Sequence, residues 1–439
     1  ANVGINRQTT INMDIQTTKG YINSDNNYID KMNDVNTLSM SEALTPFGTT
    51  RDDPFRSAMT FVQTAKHSMR TKHSDPLLVT NGADQALPYL TSDTFAHKAK
   101  EDGKIKEISD NHIIIEYKSG KHEYIDIRER IEKNSDGGFF ITIKLDPIKD
   151  FKVGQSVKAG EIIAYDKGSY SDTVGSGNLA YNIGTLTKIA IIHTDEGFED
   201  SAVISKSLSD KMESEIVLKV DVLLNKDDII LNMLKKGSPV QEGQALLTYQ
   251  ASFEDKDANQ VIDNIIKSIG KDADFANDLG KINIKSKATG ILQDIKVYRT
   301  LETTELSPSL KKLVDDYERP LDRDKKTMYK YGIYNKSYDS TGVLPATGKL
   351  KHSEDKVLVE FYIKYFDKMS VGDKLVYFSA LKGTVKTIFP EGKEPYSEYR
   401  QNETVHSLLP IHGVDNRIVS SILIQGSINK VMIELDRHV

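Results

Sequence analysis

GQSVKAGEIIAY, residues 154–165, and GSPVQEGQALLTY, residues 237–249, carry one pattern twice. Gly154, Val157 and Gly160 lead into Ile162, Ile163 and Tyr165, and Gly237, Val240 and Gly243 lead into Leu246, Leu247 and Tyr249. Glycine tolerates the positive φ of tight turns, and a branched apolar run after it reads as a strand buried on the sheet. The repeat therefore points to barrel-like or sandwich-like β modules. Upstream, Ile113, Ile115 and Tyr117 alternate before Ser119 and Gly120, and Tyr124 and Ile125 come next, which predicts a β-hairpin between Lys104 and Ile127.

Helices are expected in three places. Asp53 followed by Pro54 is an N-cap acid with proline at the first helical position, opening a helix towards Met69. Val261, Ile262, Ile265, Ile266 and Ile269 keep helical spacing up to Gly270. Ser307 caps a third helix, with Pro308 at its start and Leu310, Leu313, Val314 and Tyr317 on one face. The charged run from Asp322 to Lys330 reads as a solvated surface segment, and strand patterns return at Val357–Ile363 and again from Ile418 to Leu435. Together these give an α+β, β-rich chain in four successive regions, 1–103, 104–209, 210–352 and 353–439.

The 439 residues suffice for two or three domains with real cores. A mean hydropathy of −0.44, with no apolar run near the ~18 residues of a membrane span, excludes a transmembrane helix. Ala1 to Ile15 lacks the basic and apolar regions of a secretory signal, so a cytoplasmic location is expected. The absence of cysteine excludes disulfides, thiolate metal sites and cysteine nucleophiles. With 58 basic and 64 acidic residues the net charge is −6, so any nucleic-acid contact must be local. No phosphate-binding P-loop, nucleophile elbow or H-E-x-x-H occurs.

Three local groupings could carry chemistry. Asp195, Glu196, Glu199 and Asp200 place four carboxylates within six residues before a strand, suited to a hard divalent cation or simply to an acidic turn. Lys374 and Lys382 lie eight residues apart around Tyr377 and Phe378 and could hold phosphate oxygens from neighbouring strands, although surface lysines are common. Arg56, in the first turn after Asp53, and Arg417, in the turn-rich HGVDNRIVSS, could fork onto a triphosphate or form ordinary ion pairs.

Taken in order, these segments resemble the carboxy-terminal half of the β subunit of bacterial-type multisubunit RNA polymerases. ALTPFGTTRDDPFRSAM, residues 43–59, resembles S-L-I-P-F-x-x-x-D-D-x-N-R-A-L-M, and DPLLVTNGADQAL, residues 75–87, resembles K-P-L-V-G-T-G-x-E-x-x-V. The Gly154 repeat is similar to G-x-x-V-x-x-G-D-x-L-A-D, and GFEDSAVIS, residues 197–205, to Y-N-F-E-D-S-I-x-x-S. VGDKLVYFSALKG, residues 371–383, resembles P-G-D-K-M-A-G-R-H-G-N-K-G with both lysines in register, and HGVDNRI, residues 412–418, resembles L-G-V-P-S-R-M. NVGINRQTT, residues 2–10, is similar to N-I-G-L-I-N-S.

The resemblance implies a double-psi β-barrel interrupted by a flap-like insertion at 210–352. It implies that Lys374 and Lys382, with Lys66 nearby, contact the RNA 3′ end and template, that Arg56 and Arg417 bind the nucleoside triphosphate, and that Glu199 and Asp200 lie beside the second of two Mg²⁺ ions. Partners would be an amino-terminal β fragment, β′ chains whose D-x-D-x-D holds magnesium, DNA, nascent RNA and a promoter-specificity factor. The family's M-Q-R-Q arginine is replaced by Ala65 beside Lys66, its R-H-G-N by Phe378–Ser379–Ala380–Leu381, and its G-G-Q-R-F-G-E-M-E anchor is not found. Such a split, shortened subunit is similar to those of jumbo bacteriophages. Competing expectations are a non-catalytic β-rich binding module of the biotinyl or lipoyl kind, which wants an exposed modifiable lysine at a hairpin tip, and a phage structural protein.

Overall fold

The computed structural model describes residues 40–47, 54–65, 69–133, 140–172, 178–193, 200–252, 281–334, 356–417 and 419–437. Among the described residues the fold is β-rich, with 42% strand and 24% helix, and includes a curled half-barrel sheet. Among the described residues no helix is long and apolar enough to cross a membrane. The four successive regions do not coincide with the compact units. One unit gathers residues 1–96, 165–214 and 367–439, and the other gathers 97–164 and 215–366, so the chain passes between them four times.

In the second unit the doubled glycine pattern becomes a doubled structure. Gly103 pairs with Val157 in one copy, and Gly290 pairs with Val240 in the other. Gly154 donates its N–H to Ile105 at 2.8 Å and Gly237 donates to Leu292 at 2.7 Å; Gly160 donates to Ala99 at 2.8 Å and Gly243 to Ser286 at 2.9 Å. The offsets match residue for residue, but the partner strand precedes the loop in the first copy and comes after it in the second. The two modules are permutations of one another. At both crossing points glycine is required by space, because a Cβ on Gly103 would lie 2.5 Å from the Glu116 carbonyl oxygen and one on Gly290 2.4 Å from that of Lys364.

The expected hairpin forms from His112–Tyr117 and His122–Asp126, turning at Gly120 with φ 81°. Ile113, Ile114 and Ile115 are all buried, so this strand is covered on both faces where strict alternation was expected. The helix opened by Ser307 runs Pro308–Lys330, with the Ser307 hydroxyl accepting from Leu310 N–H and Leu310 and Val314 in the core. It continues through Pro320, so the run from Asp322 to Lys330 is not merely a solvated surface segment. It forms the last turns of a helix, in which Met328 is buried and Asp324 meets Arg128 at 2.6 Å. The helix expected at 261–269 lies outside the described residues.

The first unit is built on a five-stranded sheet in the order Ile189–Ile192, Ser407–Pro410, Ser201–Ser205, Leu381–Phe389, Lys374–Tyr377. Ala202, Ile204, Leu375, Tyr377, Leu381, Val385 and Leu409 pack one core with Leu208, Val414, Val419 and Ile422. The strand expected from Ile418 to Leu435 is corrected to a helix, Ser420–Asp436. Its isoleucines, leucines and valine suggested strand, but it carries apolar residues on nearly every side, so period alone could not separate a buried strand from a helix apolar all round. The helix expected towards Met69 is α-helical over Pro54–Thr60 and π-helical over Phe61–Ala65; Asp53 lies outside the described residues.

Candidate functional site

Pairing directions bring distant segments to one end of the five-stranded sheet. Ile189–Ile192 and Ser407–Pro410 run parallel and finish at this end, whereas Ser201–Ser205 and Leu381–Phe389, parallel to each other, begin there. The segments adjoining those strand ends are therefore assembled in space: His193, Asp200, the hairpin turn after Tyr377, and the short helix Ile411–Asp415 leading to Arg417.

Asp200 and Arg417, 217 positions apart, form an ion pair with Nη2 donating to Oδ1 at 2.6 Å. Both side chains remain partly exposed. The Asp200 carbonyl accepts from Thr384 N–H at 2.8 Å, and Asp200 holds φ 59°, a left-handed conformation that costs a non-glycine residue energy. The Arg417 guanidinium lies over the Phe55 ring, 5.8 Å from its centroid. Beyond the pair, the rings of His193 and His412 meet edge to face with centroids 5.2 Å apart. Nothing in the local sequence signals that meeting, because the two histidines adjoin strands that are neighbours only through the sheet.

Lys374 and Lys382 occupy adjacent antiparallel strands. Lys374 faces Thr384 and Lys382 faces Val376, so both lysines share the face opposite the buried Leu375, Tyr377 and Leu381 and sit as diagonal neighbours roughly 7–8 Å apart. Lys374 is exposed and Lys382 half-buried. Val376, between them, lines a groove of about 380 Å³ together with Lys188, Lys430 and Arg437 on one side of the charge balance and Asp75, Glu403 and Glu434 on the other.

The hairpin joining the lysine strands turns on Phe378 with φ 50° and Ser379 with φ 64°, closed by Ala380 N–H donating to Tyr377 at 3.0 Å. Two consecutive non-glycine residues in this region persist only when the surroundings over-determine them. Arg56 supplies part of that constraint. It is 1% exposed, donating from Nε to the Phe378 carbonyl at 3.4 Å, from Nη1 to Ser421 Oγ at 2.9 Å and from Nη2 to the Gln425 amide oxygen. The structure thus places Arg56 inside the protein as a brace between the turn and the helix Ser420–Asp436, while its neighbour Phe55 carries Arg417. Tyr377 is buried, which pushes its hydroxyl pKa up to about 12, and it shares a hydrogen bond with Ser407.

Of the residues singled out from sequence, Asp200, Arg417, Lys374, Lys382 and Arg56 belong to this unit, and Glu199 and Lys66 lie outside the described residues. No group of three or more His, Asp or Glu side chains is arranged to ligate a metal among the described residues. His406 sits at the far end of the sheet, its Nδ1 accepting from Lys188 N–H at 3.2 Å; burial, then Lys188 and Lys211, hold its pKa below the usual value. No protein-family model and no curated protein matches the chain.

Proposed function

We propose that this chain is carboxy-terminal sequence of a β-type subunit of a multisubunit DNA-dependent RNA polymerase, phage-encoded, and inactive until assembled with its partner chains. The observation that carries the reading is the placement of four resembling segments in one unit. The residues around Arg56, Asp200, the lysine pair and Arg417 are scattered over 361 positions, yet the elements bearing them belong to one five-stranded sheet and the helices packed on it. In this reading the half-barrel sheet is part of a double-psi β-barrel, residues 210–352 form the flap-like insertion, and the host cytoplasm is the site of action.

The chemistry rests on the charges. In nucleotidyl transfer the departing pyrophosphate gains negative charge, and fixed cations stabilise it without reorganising at the moment of reaction. Arg417 would turn from Asp200 to the triphosphate, already oriented by the Phe55 ring. Lys374 and Lys382, on one face of one hairpin, would hold backbone phosphates of the RNA 3′ end and template as compact point charges. Arg56 would act by fixing the turn between those lysines rather than by touching the nucleotide. Magnesium would come with a β′ chain carrying D-x-D-x-D, and Asp200 offers a single carboxylate beside it. The amino-terminal part of β and a promoter-specificity factor would complete the assembly.

The test is to tag the full chain in its native host cell, recover its complex, and assay labelled RNA synthesis on DNA with magnesium and four nucleotides. Synthesis by a complex containing a D-x-D-x-D chain is the expected result. A lone, inactive chain would overturn the proposal and bring the binding-module reading forward. In the assembled enzyme, Arg417→Ala should raise the nucleotide KM about tenfold or more with a smaller change in kcat, as loss of a charge-assisted hydrogen bond predicts. Lys374→Ala and Lys382→Ala should instead depress initiation and early extension.

A further inference from the structure

Two exposed histidines from distant parts of the chain meet at one end of the five-stranded sheet. His193 follows the strand Ile189–Ile192, and His412 comes two residues after the strand Ser407–Pro410. These strands pair in parallel with Ile192 opposite Pro410, so both histidines stand just past the same sheet end on adjacent strands. Adjacent strands lie about 4.8 Å apart, and the two rings meet with centroids 5.2 Å apart at an interplanar angle of 82°. Among the described residues neither imidazole has a hydrogen bond or an ion pair. Other histidines are engaged: His97 faces Glu123, His122 faces Glu116, His112 lies between Ser109 and Glu107, and His406 meets Thr187. The Arg417 guanidinium passes 3.4 Å from where a Cβ on Gly413, the residue after His412, would stand. Its charge is offset by the Asp200 carboxylate, so it leaves little repulsion against a cation nearby.

The donor atoms define the ligand. A neutral imidazole carries an in-plane lone pair on one nitrogen and is the commonest protein ligand for a metal ion. Two such rings side by side become a chelate once each turns about its Cβ–Cγ bond, a broad torsion that exposed side chains explore on the picosecond to nanosecond scale. Paired imidazoles suit Zn²⁺, Cu²⁺ and Ni²⁺, whereas Mg²⁺ and Ca²⁺ take oxygen ligands. The pair is therefore separate in kind from any magnesium brought by a partner chain. We propose that His193 and His412 together bind one divalent transition-metal ion, with Zn²⁺ as the type, at the sheet end beside Arg417. Among the described residues no third side chain joins the two histidines as a ligand. A tetrahedral ion held by this pair keeps its remaining positions open to water or to an anionic oxygen.

This site stands on the histidine pair and not on the polymerase reading. It is tested on the untagged full chain, stripped with a chelator and titrated with Zn²⁺ in an isothermal calorimeter. One Zn²⁺ per chain should bind, and His193→Gln and His412→Gln should each weaken that binding at least tenfold, while His406→Gln, at the far end of the sheet, should leave it unchanged. Both side chains are exposed, so the metal-free variants should keep the wild-type unfolding midpoint. X-ray absorption of the Zn²⁺-loaded chain should show two imidazoles, with oxygen ligands completing the shell. No saturable binding would overturn the proposal; so would binding indifferent to either substitution, or a spectrum with a single imidazole. RNA synthesis by an assembled complex whose chain binds no Zn²⁺ would remove this site alone. Zn²⁺ held by the pair in a chain recovered alone and inactive would remove the polymerase reading and leave the metal site standing.

Discussion

The glycine modules of one unit and the lysine hairpin of the other solve the same backbone problem with opposite residues. Gly154, Gly160, Gly237 and Gly243 hold φ between 79° and 87° at no steric cost, and their loops repeat the same hydrogen bonds in two permuted copies. Phe378, Ser379 and Asp200 hold φ between 50° and 64° with side chains attached, and these three residues flank the strand starts that carry Lys382 and the Arg417 pair. Where glycine makes the turn, the turn is scaffold. Where a bulky or charged residue is forced into the same region, neighbouring side chains must hold it there, and that constraint collects where the charged groups converge.

This contrast is most vulnerable at Arg56. Replacing it with leucine removes the donors that meet Phe378, Ser421 and Gln425 in the interior, and should cost about 3 kcal/mol in urea unfolding. An unchanged midpoint would mean the strained turn does not depend on its brace.

Next in size, Gly103→Ala and Gly290→Ala should each cost about 2 kcal/mol, because each Cβ meets a strand carbonyl that cannot move without disturbing the sheet. Equal losses would strengthen the equivalence of the permuted copies, and a loss at only one would end it. Smaller and opposite in sign are the turn exchanges: Ser379→Gly should stabilise the chain by about 0.5–1 kcal/mol, whereas Gly154→Ala and Gly237→Ala should destabilise it by about 1 kcal/mol. Differential scanning calorimetry of the three variants decides whether strain resides in the lysine hairpin.

The smallest effect concerns pH. With its folded pKa depressed, His406 binds its proton less readily in the folded chain than in the unfolded one, so its contribution to stability is complete above the unfolded value of about 6.5 and is lost as pH falls from there through the lower folded value. The wild-type unfolding midpoint should fall between pH 7.5 and 5.5 more steeply than that of His406→Gln. Equal slopes would assign the dependence to other groups.

Much of the local structure was legible in sequence. The doubled glycine loops, the turn at Gly120 and the Ser307 cap all depend on residues within a few positions of each other, where turn geometry and orphan helix donors act, and each is found where its residues put it. The lysines could likewise be expected on neighbouring strands, because a short turn between alternating residues fixes which side chains share a face.

Everything set by pairing across the chain was settled only in three dimensions. The sheet brings Ile189–Ile192 beside Ser407–Pro410 and Ser201–Ser205 beside Leu381–Phe389, and only then do Asp200 meet Arg417, His193 meet His412 and Arg56 become an interior brace. The interleaving of the two units and the helical state of Ser420–Asp436 belong to the same class. A run apolar on nearly every side satisfies either period locally, and the choice was made by the polar stripe that faces Arg56, a contact more than 360 positions away in the chain.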